Sequence, residues 1–323
     1  MKVFKTFFII SLILLFSCDN NRFGVPGKPD KNISIYRFDQ EFYKTGTSSD
    51  STYLDLYANN IMEVGEPGSK MYLDFSGIFR TDPEVKQLYN DCQESFSDVS
   101  DIENQLTWAF FRLQYFLPEI TVPKVYMHIS GFGESIISAN GILSASIDKY
   151  LGKDYPIYQS IYQPYQTLRF SREKLVADYM NGWIRSELTE EKMLEQERLL
   201  DYMVYEGKLL FLLKVILPDE KLENLIGFSS KQLQWCEANE KNIWDSILKL
   251  QHLYSTDRLV IAKYINEAPN TAFFPEDSPG RAAIWIGYQI VQSYMDKNTN
   301  ITLKELMFKT KSQDILSGST YHP

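Results

Sequence analysis

Apolar and polar positions along the chain divide it into short strand-like segments and longer helical ones. Residues 33–43 (ISIYRFDQEFY) read as a strand running into a short helix. Residues 54–61 and 81–89 carry helical spacing, the second opened by Thr81-x-x-Glu84 with Pro83 near its start. Ser100-Asp101-Ile102-Glu103 has the spacing of a capping box, and the helix it opens ends before Pro118. Residues 124–130 (KVYMHIS) alternate and are closed by Gly131 and Gly133. Residues 141–148 (GILSASID) alternate after an Asn140-Gly141 turn signal. Beyond Ser171 the period is helical: 171–187, 190–217, 230–253, 256–267, 279–296 and 302–310. Thr302-x-x-Glu305 is a second capping-box match. Strands in the first half and helices in the second predict an α+β fold: a small mixed sheet packed with a mainly helical C-terminal half.

The first 17 residues predict a lipoprotein signal peptide. Lys2 and Lys5 precede an uncharged apolar run over residues 6–16, too short for an ordinary membrane helix. The run leads into Leu15-Phe16-Ser17-Cys18, which resembles a lipobox, with Phe16 bulkier than usual. Cys18 is therefore the expected lipidation site, and a short anchor helix with an incidental cysteine is the competing reading. Residues 18–31 are polar and rich in Gly and Pro, as in a flexible tether. Residues 32–323 form one expected domain.

Composition narrows the function. A net charge of -9, with no basic patch, disfavours nucleic acid as a partner. Forty-one Tyr and Phe residues favour a folded core (21 Tyr, 20 Phe). His128, His252 and His322 are never four residues apart, and Cys-x-x-Cys, Gly-x-Ser-x-Gly and a phosphate-binding Gly-rich loop are all missing. Cys92 and Cys236 either pair in an oxidising compartment or stay as buried thiols. Arg172, Asp178 and Arg281 are polar residues in apolar-periodic stretches, where ion pairs or caps are the usual explanation. The acidic run over residues 187–197 reads as a solvated helical face.

Six segments in order resemble the gliding motility-associated lipoprotein B (GldB) family of the Bacteroidetes: 35–39 (IYRFD), 124–132 (KVYMHISGF), 143–158 (LSASIDKYLGKDYPIY), 170–183 (FSREKLVADYMNGW), 205–208 (YEGK) and 278–295 (SPGRAAIWIGYQIVQSYM). Their layout is also similar to the zincin metallopeptidase scaffold, in which two His one helical turn apart and a third ligand hold zinc. On that resemblance Asp178 fills the first ligand slot, Tyr179 the general-base slot, Gly182 the second ligand slot, and Glu206 the third. Gly182 has no ligating atom, and a neutral Tyr is a poor base near neutral pH.

What the resemblance implies is a non-catalytic envelope lipoprotein without metal or cofactor. It would sit in the outer membrane, lipid-anchored and facing the periplasm. It would act as a scaffold or peptide-binding component beside the proteins of the gliding and secretion machinery. Two other readings stand beside it. One is a metal-dependent hydrolase using Asp178 and Glu206, with His128 as an unusual third ligand. The other is a peptide-binding module in which Ser144 and Ser146 lie on an edge strand that pairs with an extended chain.

Overall fold

The structure is a computed structural model that describes residues 22–323. Cys18 and the signal segment lie outside the described residues. Strand β1 (Ile35–Arg37) runs directly into α1 (Phe38–Thr45), as its pattern predicts. A helical layer follows. It consists of α2 (Ser51–Leu56) continued by a π turn over Tyr57–Ile61, then α3 (Lys70–Thr81), α4 (Pro83–Ser95) and α5 (Ser100–Phe116). The cap of α4 is Asp82, which accepts from the backbone N of Glu84 and Val85, with Pro83 at the first helical position.

The capping box expected at Ser100 does not form. No side chain caps α5, and the Glu103 carboxylate instead accepts the backbone N–H of Ile35 at 2.8 Å. A tertiary donor has outcompeted the local one, and the contact ties α5 to the first residue of the sheet.

Strands β2 (Lys124–His128), β3 (Ile136–Ala139) and β4 (Ile142–Ser146) complete a four-stranded sheet ordered β1-β2-β4-β3. β1, β2 and β4 are parallel, and β3 pairs antiparallel with β4. Asn140 (φ 51°) and Gly141 (φ 77°) make the two-residue β3–β4 turn, the backbone that Asn-Gly favours in a hairpin. This order corrects one expectation: the strand carrying Ser144 and Ser146 is central, not an edge. Both serines are fully buried, because β4 is flanked by β2 and β3 and every one of its residues is covered. The antiparallel edge strand is β3.

After a short α6 (Tyr158–Ile161), α7 (Leu175–Glu187) packs on β3 and β4. The helical run expected from 190 to 217 is broken into α8 (Glu190–Met193) and α9 (Leu199–Ile216). α10 (Leu222–Ile226), α11 (Ser230–Lys249), α12 (Arg258–Ile265), α13 (Ala282–Lys297), α14 (Leu303–Phe308) and α15 (Ser312–Ser319) follow. The Thr302–Glu305 capping box forms at α14 as its spacing predicts.

α9 is apolar nearly all round and is the central helix of the core. Its largest contact is with α13, where Gly207 and Gly287 bring the two backbones together. Among the described residues no helix is long and apolar enough to cross a membrane. Cys92 and Cys236 are free, buried thiols rather than a disulfide, and burial pushes both upward, Cys236 to about 12.

Within the stretch expected to be a flexible tether, 18–31, Arg22 and Phe23 make contacts with the domain. The Arg22 guanidinium donates to the carbonyls of Met295 (2.5 Å), Asn298 (3.1 Å) and Ile301. Phe23 sits edge-on against Phe116 and Phe211.

Candidate functional site

The residues that the zincin resemblance would place at metal slots belong to α7 and α9. Asp178 is mostly buried on α7, where the Arg169 Nη2 donates to it at 2.5 Å and the Tyr150 hydroxyl at 3.0 Å. Glu206, on α9, accepts two parallel bonds from Arg185, at 2.8 and 2.5 Å. The Arg185 Nε donates in turn to Asn181 at 3.0 Å, one turn back on α7. Each carboxylate is therefore neutralised by a guanidinium, and the Arg185–Glu206 fork is the strong bidentate form of such a pair.

Tyr179 points the other way. Its hydroxyl donates to the backbone carbonyl of Tyr126 at 2.6 Å, and burial holds it well above the ordinary tyrosine range. A phenol so placed serves as a strut between α7 and β2 and is no base for water. Gly182 has a packing reason: a Cβ there would lie 2.5 Å from Ile136 Cγ2. The missing side chain lets α7 approach β3. Gly207 has the same kind of reason, because its Cβ would meet the Gly287 carbonyl oxygen at 2.3 Å. The Glu206-Gly207 pair is thus one ion-pair residue and one helix-crossing residue.

A third guanidinium joins the group. Arg281 lines the same small pocket as Arg169, Asn181, Arg185 and Glu206, backed by leucines of α9. It donates to the Ile226 carbonyl at 2.9 Å and lies over the Phe228 ring at 5.7 Å. Burial and the neighbouring Arg169 push it down to about 10. Its backbone is left-handed (φ 61°) at the cap position of α13. No ion pair to Arg281 exists among the described residues. Nor, among them, does any group of three or more His, Cys, Asp or Glu stand close enough to hold a metal. The site is a guanidinium cluster around two carboxylates. It can hold helices together and attract an anion.

Arg281 stood out in the sequence as a polar residue within an apolar pattern. Arg169 and Arg185, the residues that engage the two carboxylates, did not. Arg169 ends a single 3-10 turn (Thr167–Arg169) nine residues before its partner, too short to have a periodicity that would mark it. Arg185 sits one turn beyond Asn181 on α7, but its partner is on another helix.

His128 lies on the opposite face of the sheet from α7. Ile136 and Ala145 share the α7 face, and alternation puts Ser144 on the other. There the Tyr53 hydroxyl reaches Ser144 Oγ at 2.5 Å and His128 Nδ1 at 3.1 Å, and His128 Nδ1 reaches Ser144 at 2.7 Å. The third-ligand role considered for His128 is therefore closed by topology: the sheet separates it from Asp178 and Glu206.

Along the same face Ser146 donates to Asp148 at 2.5 Å, and the backbone N–H groups of Ser130 and Phe132 also donate to that carboxylate. Among the described residues His128 Nε2 meets no polar partner. A proton on the ring has nothing to offset it, and burial pushes the imidazole down to about 3. In the unfolded chain this histidine titrates at about 6.5. Stability from this group is complete above that value and is lost as pH falls from it toward 3. Unfolding free energy is expected to drop by about 1.4 kcal/mol per pH unit through pH 5 on account of this one proton. Urea melts of the parent and of His128→Gln check this. A slope left unchanged by the substitution would assign the proton elsewhere.

A family model described as gliding motility protein GldB matches residues 26–323. No curated protein and no solved structure matches the chain, so the zincin likeness finds no support there. The match spans the sheet, both carboxylate slots and the glycine crossing of α9 and α13, and the chain belongs to the gliding motility protein GldB family.

Proposed function

We propose that this protein is a non-catalytic cell-envelope lipoprotein, anchored by lipid at Cys18 to the periplasmic face of the outer membrane. It supports gliding motility and the associated protein secretion as a scaffold or peptide-binding component of that machinery. The observation that supports the non-catalytic part is the pairing of Asp178 with Arg169 and of Glu206 with Arg185, which engages both carboxylates. The pseudo-peptidase reading rests on that pairing together with the sequence resemblance. If the scaffold binds an extended peptide, the strand to pair with it is β3, since β4 is enclosed.

Two measurements test this. The detergent-solubilised lipoprotein should carry far less than one zinc per chain, and Glu206→Gln should leave that value unchanged. Stoichiometric zinc lost in Glu206→Gln would restore the hydrolase reading. In the organism, deletion should abolish or sharply reduce surface spreading and secretion, and a Glu206→Gln copy should restore both. A deletion strain that spreads and secretes normally would end the functional proposal.

A further inference from the structure

Arg22 and Phe23 do not behave as part of a free linker. Three carbonyls at and just beyond the C-terminal end of α13 (Met295, Asn298 and Ile301) converge on one guanidinium. Met295 belongs to the last turn of α13, whose carbonyls lack intrahelical partners, while Asn298 and Ile301 belong to the turn that follows, where the Asn298 carbonyl also accepts the Ile301 N–H; the cation faces the negative end of the helix dipole. Phe23 fills the notch beside Phe116, at the end of α5, and Phe211 of α9. The chain is thus pinned at Arg22 by both charge and packing. Only four residue steps separate Arg22 from Cys18, and four steps of fully extended chain span no more than ~14 Å.

We propose that this docked N-terminal stretch holds the domain on the bilayer in one orientation, with the face formed by the ends of α5 and α13 turned to the lipid headgroups. The inference rests on lipidation at Cys18. A flexible tether would let any face of the domain meet the membrane. A tether pinned within ~14 Å of the lipid allows one. The face suits that place. Tyr115, 53% exposed, stands edge-on against Phe116, an amphipathic ring at the height where aromatic side chains favour the interface. Lys304 of α14 pairs with Glu119 beside it, so this ion pair adds no net charge to the face. The sheet, the arginine cluster and β3 are then carried at a fixed attitude to the membrane, which matters for a component that must meet other envelope proteins.

The test uses the full lipidated protein reconstituted in phosphatidylethanolamine/phosphatidylglycerol vesicles that carry a headgroup spin label. Cys92 and Cys236 are buried thiols and Cys18 is consumed by lipid, so an introduced cysteine is the one that takes a fluorophore. Tyr115→Cys reports the proposed face. Ile78→Cys, 63% exposed on α3, which packs on α1 and α4, reports another. Fluorescence at position 115 is expected to be quenched at least threefold more than at 78. The double substitution Arg22→Ala/Phe23→Ala should bring the two toward equality while the protein stays in the vesicles. Protein that enters the vesicles but is quenched equally at both positions overturns the fixed orientation and leaves the lipoprotein reading standing. Protein that does not enter the vesicles overturns both.

Discussion

Gly287→Ala is expected to destabilise the protein by about 4 kcal/mol, beyond the usual cost of an overpacked core. An added Cβ would lie 1.8 Å from the Met203 carbonyl oxygen and 2.5 Å from its carbonyl carbon. Both are backbone atoms of α9, so no rotamer change relieves the overlap, and the helices must separate. Separation is costly because α9 is buried on nearly every side, and moving it disturbs its contacts with α5, α7 and α15 as well as α13. The intrinsic gain of up to about 1 kcal/mol from replacing a helical glycine by alanine is overwhelmed. At roughly 2–4 °C per kcal/mol the melting temperature should fall by on the order of 10 °C. Gly207→Ala faces the same crossing from the other helix and should behave alike. Gly77→Ala is the control. It lies within α3 with nothing inside 4 Å of the new Cβ, and it should raise stability by about 0.5–1 kcal/mol. A Gly287→Ala protein as stable as its parent would mean that α9 and α13 do not cross at these residues.

The same crossing shows why parts of the site were legible in sequence and others were not. Local signals carried through where local chemistry decides them. The β1–α1 junction, the Asn140-Gly141 hairpin and the Thr302–Glu305 box are all fixed by a few adjacent residues. Signals that depend on a distant partner misled. Ser100 and Glu103 have capping-box spacing, yet Glu103 serves β1. The 141–148 segment alternates like a half-exposed strand because Ser144 and Ser146 are polar. Those hydroxyls are satisfied inside the sheet by Tyr53, His128, Ser130 and Asp148, a network that no spacing rule reveals. Glu206-Gly207 reads as a ligand motif, while its two residues answer to Arg185 and to Gly287 separately. Alternation and helical spacing report which face of an element is covered. They do not report what covers it, and the character of this site lies in that second fact.

That character is most exposed at Asp178. Replacing it with Asn should cost about 3 kcal/mol, the lower end of what breaking a buried ion pair costs, since Arg169 keeps some solvent contact. The isosteric amide leaves packing nearly unchanged, so the loss is electrostatic. Arg169 would retain only Glu267 at 3.7 Å, a half-exposed carboxylate, while Arg281 and Arg185 repel it. Arg169→Met in the Asp178→Asn background should recover part of the loss. The double-mutant cycle should show a coupling of at least about 1 kcal/mol between the two positions. A metal ligand would behave differently. If Asp178 helped to bind a cation, a chelator would lower the melting temperature of the parent protein, Asp178→Asn would remove that sensitivity, and Arg169 would show little coupling to it. The expected pattern is the reverse: no response to chelator, and strong coupling to Arg169. Arginine then holds this carboxylate of α7 against its surroundings by charge and hydrogen bonds.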